Sequence, residues 1–193
     1  GAVLFRQDDV SDVIYVVPDE ARVRLDMSKN EIIHFFVERA LVATALATSG
    51  DRRASREALA ERVQWLSRLS KYEFSFRADA EFEGIFAETL AAMRDEGALA
   101  LEGDLVVRPE RRSEEEDALL RYARLLKSFC EAYRLSARAL GHLVKGPLAV
   151  KDVEKRALAL GDRMFMAGEV HRREAISRPL VDNALSAFVD MGY

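Results

Sequence analysis

The sequence has only one cysteine, four prolines and ten glycines among 193 residues. The lone thiol, Cys130, cannot form an internal disulfide and supplies too few ligands for a cysteine-rich zinc site. So little proline and glycine, together with 49% apolar residues, excludes a disordered or low-complexity chain. The composition therefore indicates one ordinary globular domain or two small, closely packed domains.

An excess of positive charge is also lacking, because 29 lysines and arginines face 33 acidic residues and the formal net charge is −4. Nucleic-acid-binding domains usually carry a basic surface, so we expect no nucleic-acid partner. Long apolar runs are missing too. The longest candidate, residues 32–48, is interrupted by His34, Glu38 and Arg39, which excludes a membrane-spanning helix.

The amino terminus, which begins at Gly1, has neither the basic flank nor the cleavage site of a signal peptide. We therefore expect a cytoplasmic protein. The absence of an initiating methionine indicates a processed or excised piece of a longer protein, whose oligomeric state the sequence leaves open.

Apolar residues recur mainly at helical spacing, which predicts a mainly α, multi-helix, bundle-like domain with one or two short β-hairpins. A capping box of Ser28 and Glu31 predicts the start of a central helix, and Gly97 predicts the end of the third helix. The predicted helices cover residues 28–48, 59–70, 79–96, 113–145, 151–167 and 178–190. The predicted extended pairs are 13–17 with 22–25, and 98–101 with 105–107.

A charged stretch at residues 109–113 is the best linker that the sequence offers. It separates an N-terminal part, residues 1–108, from a C-terminal helical part, residues 113–193. The first part holds the strand pair, the central helix, two further helices and the second hairpin. We expect both parts to pack as one compact unit.

Patterns typical of a catalytic or metal site are absent from the sequence. No histidine stands in an H-x3-H or H-E-x-x-H spacing, and there is neither a G-x-S-x-G motif nor a glycine-rich phosphate loop. We therefore predict no metal site, no cofactor and no catalytic residue. Cys130 falls within the apolar stripe of a predicted helix, so we interpret it as a buried, small apolar side chain.

Two groups of residues are candidates for contact with another domain. Asn30 and His34 lie four positions apart, on the same side of the predicted central helix. Tyr72, Glu73 and Phe74 form an aromatic and acidic connector between two predicted helices. For each group two interpretations stay open: it fixes its own surroundings within the domain, or it docks this domain onto a partner domain.

Two arginine clusters also have two interpretations. Residues 52–56 contain three arginines, and residues 171–173 combine a histidine with two arginines. Such clusters bind anionic lipid headgroups in some proteins and are simply solvated helix ends in others.

A winged-helix regulator or adaptor is the alternative function, because the third predicted helix ends at Gly97 and a hairpin follows it. The charge of that helix argues against DNA binding. Residues 79–96 hold six acidic side chains and one arginine, which would repel a phosphate backbone.

Three stretches of the sequence resemble a known family when they are taken in order. They are Leu25-Asp26-Met27-Ser28-Lys29-Asn30-Glu31-Ile32-Ile33-His34-Phe35-Phe36, then Leu69-Ser70-Lys71-Tyr72-Glu73-Phe74-Ser75-Phe76, and finally residues 177–193 with Asn183-Ala184-Leu185 and Met191-Gly192-Tyr193. They resemble the region after the catalytic domain in glycerol-3-phosphate and dihydroxyacetone-phosphate acyltransferases. Ser28 departs from the tyrosine usual in that family.

The resemblance implies that this chain and the catalytic domain have different roles in one enzyme. Catalysis in that family rests on an H-x4-D motif, whose histidine acts as the base on the glycerol hydroxyl. The residues five positions after the three histidines are Arg39, Pro147 and Ile176, so none matches the motif. The resemblance therefore implies a non-catalytic, helical C-terminal domain that packs against its own catalytic domain. It also implies a parent enzyme of phospholipid synthesis that lies peripherally at the inner face of the membrane, with the membrane surface as a further partner.

Overall fold

The computed structural model describes residues 3–5, 14–16, 32–76, 81–110 and 117–193. The chain divides by its internal contacts into two compact units, Gly1–Phe35 and Phe36–Tyr193. In the first unit, β1 (Val3–Phe5) pairs antiparallel with β2 (Ile14–Val16), with Leu4 opposite Tyr15. β2 confirms the predicted strand at 13–17. Its partner β1 was not predicted, and residues 22–25 lie outside the described residues.

The second unit confirms the mainly α class with short strands. Its described residues form seven α-helices: α1 (Val37–Ala47), α2 (Arg56–Leu69), α3 (Phe82–Asp95), α4 (Ala118–Leu125), α5 (Lys127–Leu140), α6 (Val150–Met166) and α7 (Arg178–Asp190). Three short strands, β3 (Arg53–Ser55), β4 (Ala100–Glu102) and β5 (Leu105–Val107), form an antiparallel sheet in the order β3-β5-β4.

The first half of this unit is built around α1. Seven of its eleven residues are buried, and it packs against α2, α3 and α4. The predicted hairpin of β4 and β5 is confirmed, with Gly103 in the left-handed region at φ 62°. The order helix, strand, helix, helix, hairpin, with β5 in the middle of the sheet, is the winged-helix arrangement. β3 was not predicted, because three residues without an apolar alternation carry no strand signal.

The second half consists of α5, α6 and α7 around a separate core. A short 3-10 turn, Arg173–Ala175, packs against α5 and completes this core. Fully or nearly fully buried members of this core are Ala132, Leu135, Ala139, Ala157, Met164, Val170, Val181 and Ala184.

Two predicted helices differ from the structure. The central helix is not continuous at its start: residues 33–35 form a 3-10 turn, Phe36 has a non-helical backbone (φ −124°, ψ 2°), and α1 begins at Val37. The predicted helix 113–145 is broken at Leu126, whose N–H bonds to the carbonyl of Ala123 at 3.2 Å. The break lets α4 pack on α1 and α5 pack on the second core.

The predicted linker at 109–113 lies partly outside the described residues, and the division of the chain at this point stays a prediction. Arg108, which follows β5, donates from Nε to Asp117 Oδ2 at 2.9 Å. Asp117 caps α4 by accepting the N–H of Leu120 at 3.1 Å, and α4 in turn packs against α1. Arg108 and Asp117, on the two sides of the predicted linker, are therefore in direct contact. Within the described ranges, no helix is long and apolar enough to cross a membrane.

Candidate functional site

The connector after α2 places Phe74 inside the second unit. The chain turns at residues 70–73, and the N–H of Phe74 bonds to the carbonyl of Ser70 at 3.2 Å. The Phe74 ring is 4% exposed and meets Phe129 edge to face, with 5.0 Å between ring centroids. This side chain therefore contributes to internal packing between the connector and α5.

Glu73 ties the same connector to α5 and α7. Its Oε1 accepts the hydroxyl of Tyr133 at 3.2 Å, and its Oε2 accepts the side-chain amide of Asn183 at 3.2 Å. Asn183 also donates to the main-chain oxygen of Tyr72 at 3.3 Å. Burial raises the pKa of the Glu73 carboxyl above its ordinary value, although both hydrogen bonds act in the opposite direction.

An exposed ion pair reinforces this junction. Lys71 Nζ lies 2.5 Å from Asp190 Oδ2, and the hydroxyl of Tyr72 donates to the same oxygen. The hydrogen bond from Lys71 has the largest effect on the pKa of Asp190 and holds it below its usual value. The hydrogen bond from Tyr72 acts in the same direction. The stretches 69–76 and 177–193, which carry the family resemblance, thus contact each other directly.

The five predicted docking residues have different positions. Asn30 lies outside the described residues, and His34 is exposed in the 3-10 turn of the first unit. Tyr72 is half exposed, whereas Glu73 and Phe74 are partly and fully buried within the second unit. Docking onto another domain stays a prediction for all five.

An apolar groove that sequence reasoning missed lies between α1, α2, α5 and α7. Its volume is about 660 Å³. The groove brings together residues from 44 to 193, so no local pattern could have revealed it. Its lining residues are Thr44, Ala45, Thr48, Arg62, Trp65, Leu66, Leu69, Cys130, Tyr133, Arg134, Ala137, Leu140, Phe188 and Tyr193. We call it the Trp65 groove.

Cys130 belongs to the Trp65 groove, and the prediction that it is buried is wrong: the residue is exposed. The apolar stripe of α5 faces other helices, but Cys130 lies where this stripe borders the Trp65 groove. The surrounding protein removes water from the thiol and raises its pKa. An elevated pKa makes this cysteine a poor nucleophile at neutral pH.

A histidine and a carboxylate that are distant in sequence meet in space. His171 Nδ1 lies 3.1 Å from Glu131 Oε1. The same carboxylate, which is buried, accepts the main-chain N–H of Arg172 at 2.8 Å and that of His171 at 3.1 Å. Glu131 therefore anchors the loop that follows α6. Among the residues the structure describes, no three His, Cys, Asp or Glu side chains cluster as metal ligands do.

Comparisons with known proteins agree with the resemblance. Residues 2–193 match the family model for the glycerol-3-phosphate acyltransferase C-terminal region. The glycerol-3-phosphate acyltransferase of Pseudomonas putida (strain W619) is 24% identical over 97% of this chain and 22% of its own length. That of Ectopseudomonas mendocina (strain ymp) is 22% identical over 98% of this chain and 23% of its own length.

The chain thus spans less than a quarter of the length of these curated relatives. The family match, in contrast, covers nearly the whole chain and includes the junction of the connector with α7. The chain belongs to the family of glycerol-3-phosphate acyltransferase C-terminal regions.

Proposed function

We propose that this chain is the non-catalytic part of an enzyme that transfers a fatty acyl group to glycerol 3-phosphate, and that it packs against the enzyme's catalytic region. One observation carries the proposal. The match to the C-terminal region covers residues 2–193, while no histidine of the chain has an aspartate five positions later. The His–Asp pair of the reaction would then lie in another part of the enzyme.

The contacts of Glu131 with the loop of His171 support this proposal. A carboxylate that orients a catalytic histidine contacts the ring, and the ring contacts the substrate. Glu131 does contact the ring of His171, but it also accepts two main-chain N–H groups of the same loop. This set of bonds is what a loop anchor requires.

An acyl-transfer assay tests the non-catalytic role. The purified chain, given acyl-CoA and glycerol 3-phosphate, should form no lysophosphatidate above a buffer blank. A complete glycerol-3-phosphate acyltransferase serves as the positive control. Turnover that scales with protein, survives repurification and falls in the variant His171→Ala would contradict the proposal.

Docking of the chain onto a catalytic region is tested with the pair Asn30 and His34. We expect the double variant Asn30→Ala with His34→Ala to lower the activity or stability of the complete enzyme and to leave the melting temperature of the chain itself nearly unchanged. If the pair only fixes its own surroundings, the chain alone should melt several degrees lower. A loss confined to the chain alone would refute docking by this pair.

The peripheral position at the membrane is part of the same proposal, and its support is the family's acyl chemistry. Sedimentation of the complete enzyme with anionic vesicles tests it, with neutral vesicles as the control. Equal recovery in both pellets would contradict an electrostatic contact with anionic lipid.

A winged-helix regulator is the second candidate, because the order of helices and strands in the first half favours it. In that arrangement α3 occupies the position of the helix that enters the DNA groove. α3 carries Glu83, Glu88 and Asp95 against a single arginine, Arg94, so it would repel phosphate. We expect no change in the fluorescence anisotropy of a labelled DNA duplex at low salt. Saturable binding would favour the regulator.

A further inference from the structure

We propose that the Trp65 groove binds one long acyl chain that carries an anionic group at its end. This inference goes beyond the proposed function and rests on the groove alone. It assigns a lipid-binding site to a chain for which no catalytic site is proposed.

The size and lining of the groove suit an acyl chain. Its volume of about 660 Å³ falls within the range of small-molecule sites. The threonine hydroxyls of its walls bond to the main chain of α1. Thr44 donates its hydroxyl to the carbonyl of Ala40 at 2.7 Å, and Thr48 donates to the carbonyls of Thr44 and Ala45 at 3.0 Å each. Only the methyl groups of these threonines then remain to face an occupant.

The aromatic residues also present apolar surface to the groove. The hydroxyl of Tyr133 bonds to Glu73, outside the groove, so its ring presents apolar surface. Trp65 is 46% exposed, an unusual position for the chain's single tryptophan. An extended peptide in this place would leave its N–H and C=O groups without partners, at a cost that a hydrocarbon chain does not have.

The charge at the edges of the groove favours an anion. Arg62 donates from Nη1 to the neutral hydroxyl of Ser49 at 2.5 Å, so this hydrogen bond leaves its charge unneutralised. Arg134 and Arg138 share one carboxylate, that of Glu169, at 3.3 and 2.5 Å. None of the described lining residues is acidic. Two guanidinium groups line the groove, those of Arg62 and Arg134, and within the described residues only Arg134 is paired with a carboxylate, so the edge of the groove attracts a carboxylate or phosphate headgroup.

The only tryptophan and the only cysteine of the chain both line the groove, and they report on its occupant without labelling. Palmitate, 1-palmitoyl-glycerol 3-phosphate and palmitoyl-CoA, each kept below its micelle concentration, are titrated separately into the chain. We expect a saturable change in Trp65 emission with one ligand per chain. Alkylation of Cys130 by a maleimide should slow in proportion to occupancy. Comparison of the three ligands distinguishes a fatty acid, a lysophospholipid and an acyl thioester as the source of the acyl chain.

Two neutral or cationic ligands of equal chain length, hexadecanol and hexadecyltrimethylammonium, test the headgroup. We expect both to bind more weakly than palmitate, and Arg62→Met to remove much of that difference. Equal affinity for all three headgroups would overturn the assignment of an anionic end. No change in Trp65 emission and no protection of Cys130 with any ligand would overturn the site itself.

A variant that fills the groove tests the site, and a matched variant outside the groove is its control. Ala137 is an exposed lining residue on α5, and Ala159 is an exposed alanine on α6 outside the groove. Ala137→Phe should weaken binding about tenfold or more, while Ala159→Phe should leave it unchanged. Circular dichroism establishes that both variants are folded, and two equal affinities would contradict the site.

Light scattering tests the competing occupant, a second copy of the chain. A dimer in which Cys130 is protected without lipid, and in which Ala137→Phe restores the monomer, would overturn the proposal. These results are independent of the acyl-transfer assay, so the groove and the proposed function can fail separately.

Discussion

Asn183 on α7 donates a hydrogen bond to Glu73 Oε2 at 3.2 Å, across 110 positions of sequence. The bond joins the connector after α2 to the last helix, and therefore the winged-helix half to the three-helix half of the second unit. The Lys71–Asp190 pair lies at the same junction, 2.5 Å between Nζ and Oδ2. A small polar contact beside the Trp65 groove thus joins the two halves, in addition to the packing of Phe74 on Phe129.

The first prediction concerns that contact. Asn183→Ala leaves one oxygen of the partly buried Glu73 without its donor, so we expect a loss of about 1–2 kcal/mol in the free energy of unfolding. Urea unfolding followed by circular dichroism measures it. Ser186→Ala, at an exposed position of the same helix, is the control and should change stability by less than about 0.5 kcal/mol. Equal effects of the two variants would show that the contact contributes nothing.

The second prediction follows from the raised pKa of Glu73. Because the folded protein holds this proton more tightly than the unfolded chain, stability falls as pH rises from the ordinary carboxyl pKa through the raised one. Glu73→Gln keeps an acceptor for Asn183 and removes the titration. The stability of the variant relative to the native chain should therefore increase between pH 4 and pH 7. Melting temperatures of both proteins across this range measure it, and a constant or decreasing difference would contradict the prediction.

The third prediction compares two helical glycines. A Cβ at Gly161 in α6 would lie 3.0 Å from Ile176 Cγ2, whereas a Cβ at Gly84 in α3 meets nothing within 4 Å. Gly84→Ala should stabilise the protein by about 1 kcal/mol, through helix propensity. Gly161→Ala should destabilise it, because overpacking costs about 1–3 kcal/mol.

The variant Ile176→Ala removes both side-chain atoms of Ile176 that approach Gly161 most closely. In that background Gly161→Ala should lose most of its penalty, because only Leu135 Cδ2, at 3.3 Å, still lies close to the new Cβ. Chemical unfolding of the four proteins in this cycle measures the coupling. A penalty that persists undiminished without the Ile176 side chain would assign the effect to another cause.

Local signals in the sequence predicted most helices, because caps and apolar periodicity act within a few residues. Gly97 ends α3 in the left-handed region at φ 69°, as the cap pattern indicates. The break at Leu126 was missed because the apolar stripe continues through it, while the partner of that stripe changes from α1 to the second core. A stripe reports which face is buried and not which element buries it.

The junction and the groove could not be predicted from the sequence. Glu73 was identified as a candidate, but its partners Tyr133 and Asn183 lie 60 and 110 positions away. The exposure of Cys130 depends on its position at the border of the Trp65 groove, a tertiary property with no local pattern. The resemblance identified the stretches 69–76 and 177–193 without indicating that they touch.

The last prediction concerns Asp117, which joins the sheet to α4 across the predicted linker. Its carboxylate caps α4 through Oδ1 and pairs with Arg108 through Oδ2, and the side chain is 5% exposed. Asp117→Ala removes both contacts and leaves a donor unpaired, so a loss of about 1–3 kcal/mol is expected. Asp117→Asn keeps the capping oxygen and should lose less, because only the charge opposite Arg108 disappears. If residues 109–113 instead separated two independent parts, either variant would split urea unfolding into two transitions. We expect one shifted transition in both variants, since α4 packs on α1 and belongs to the same cooperative unit.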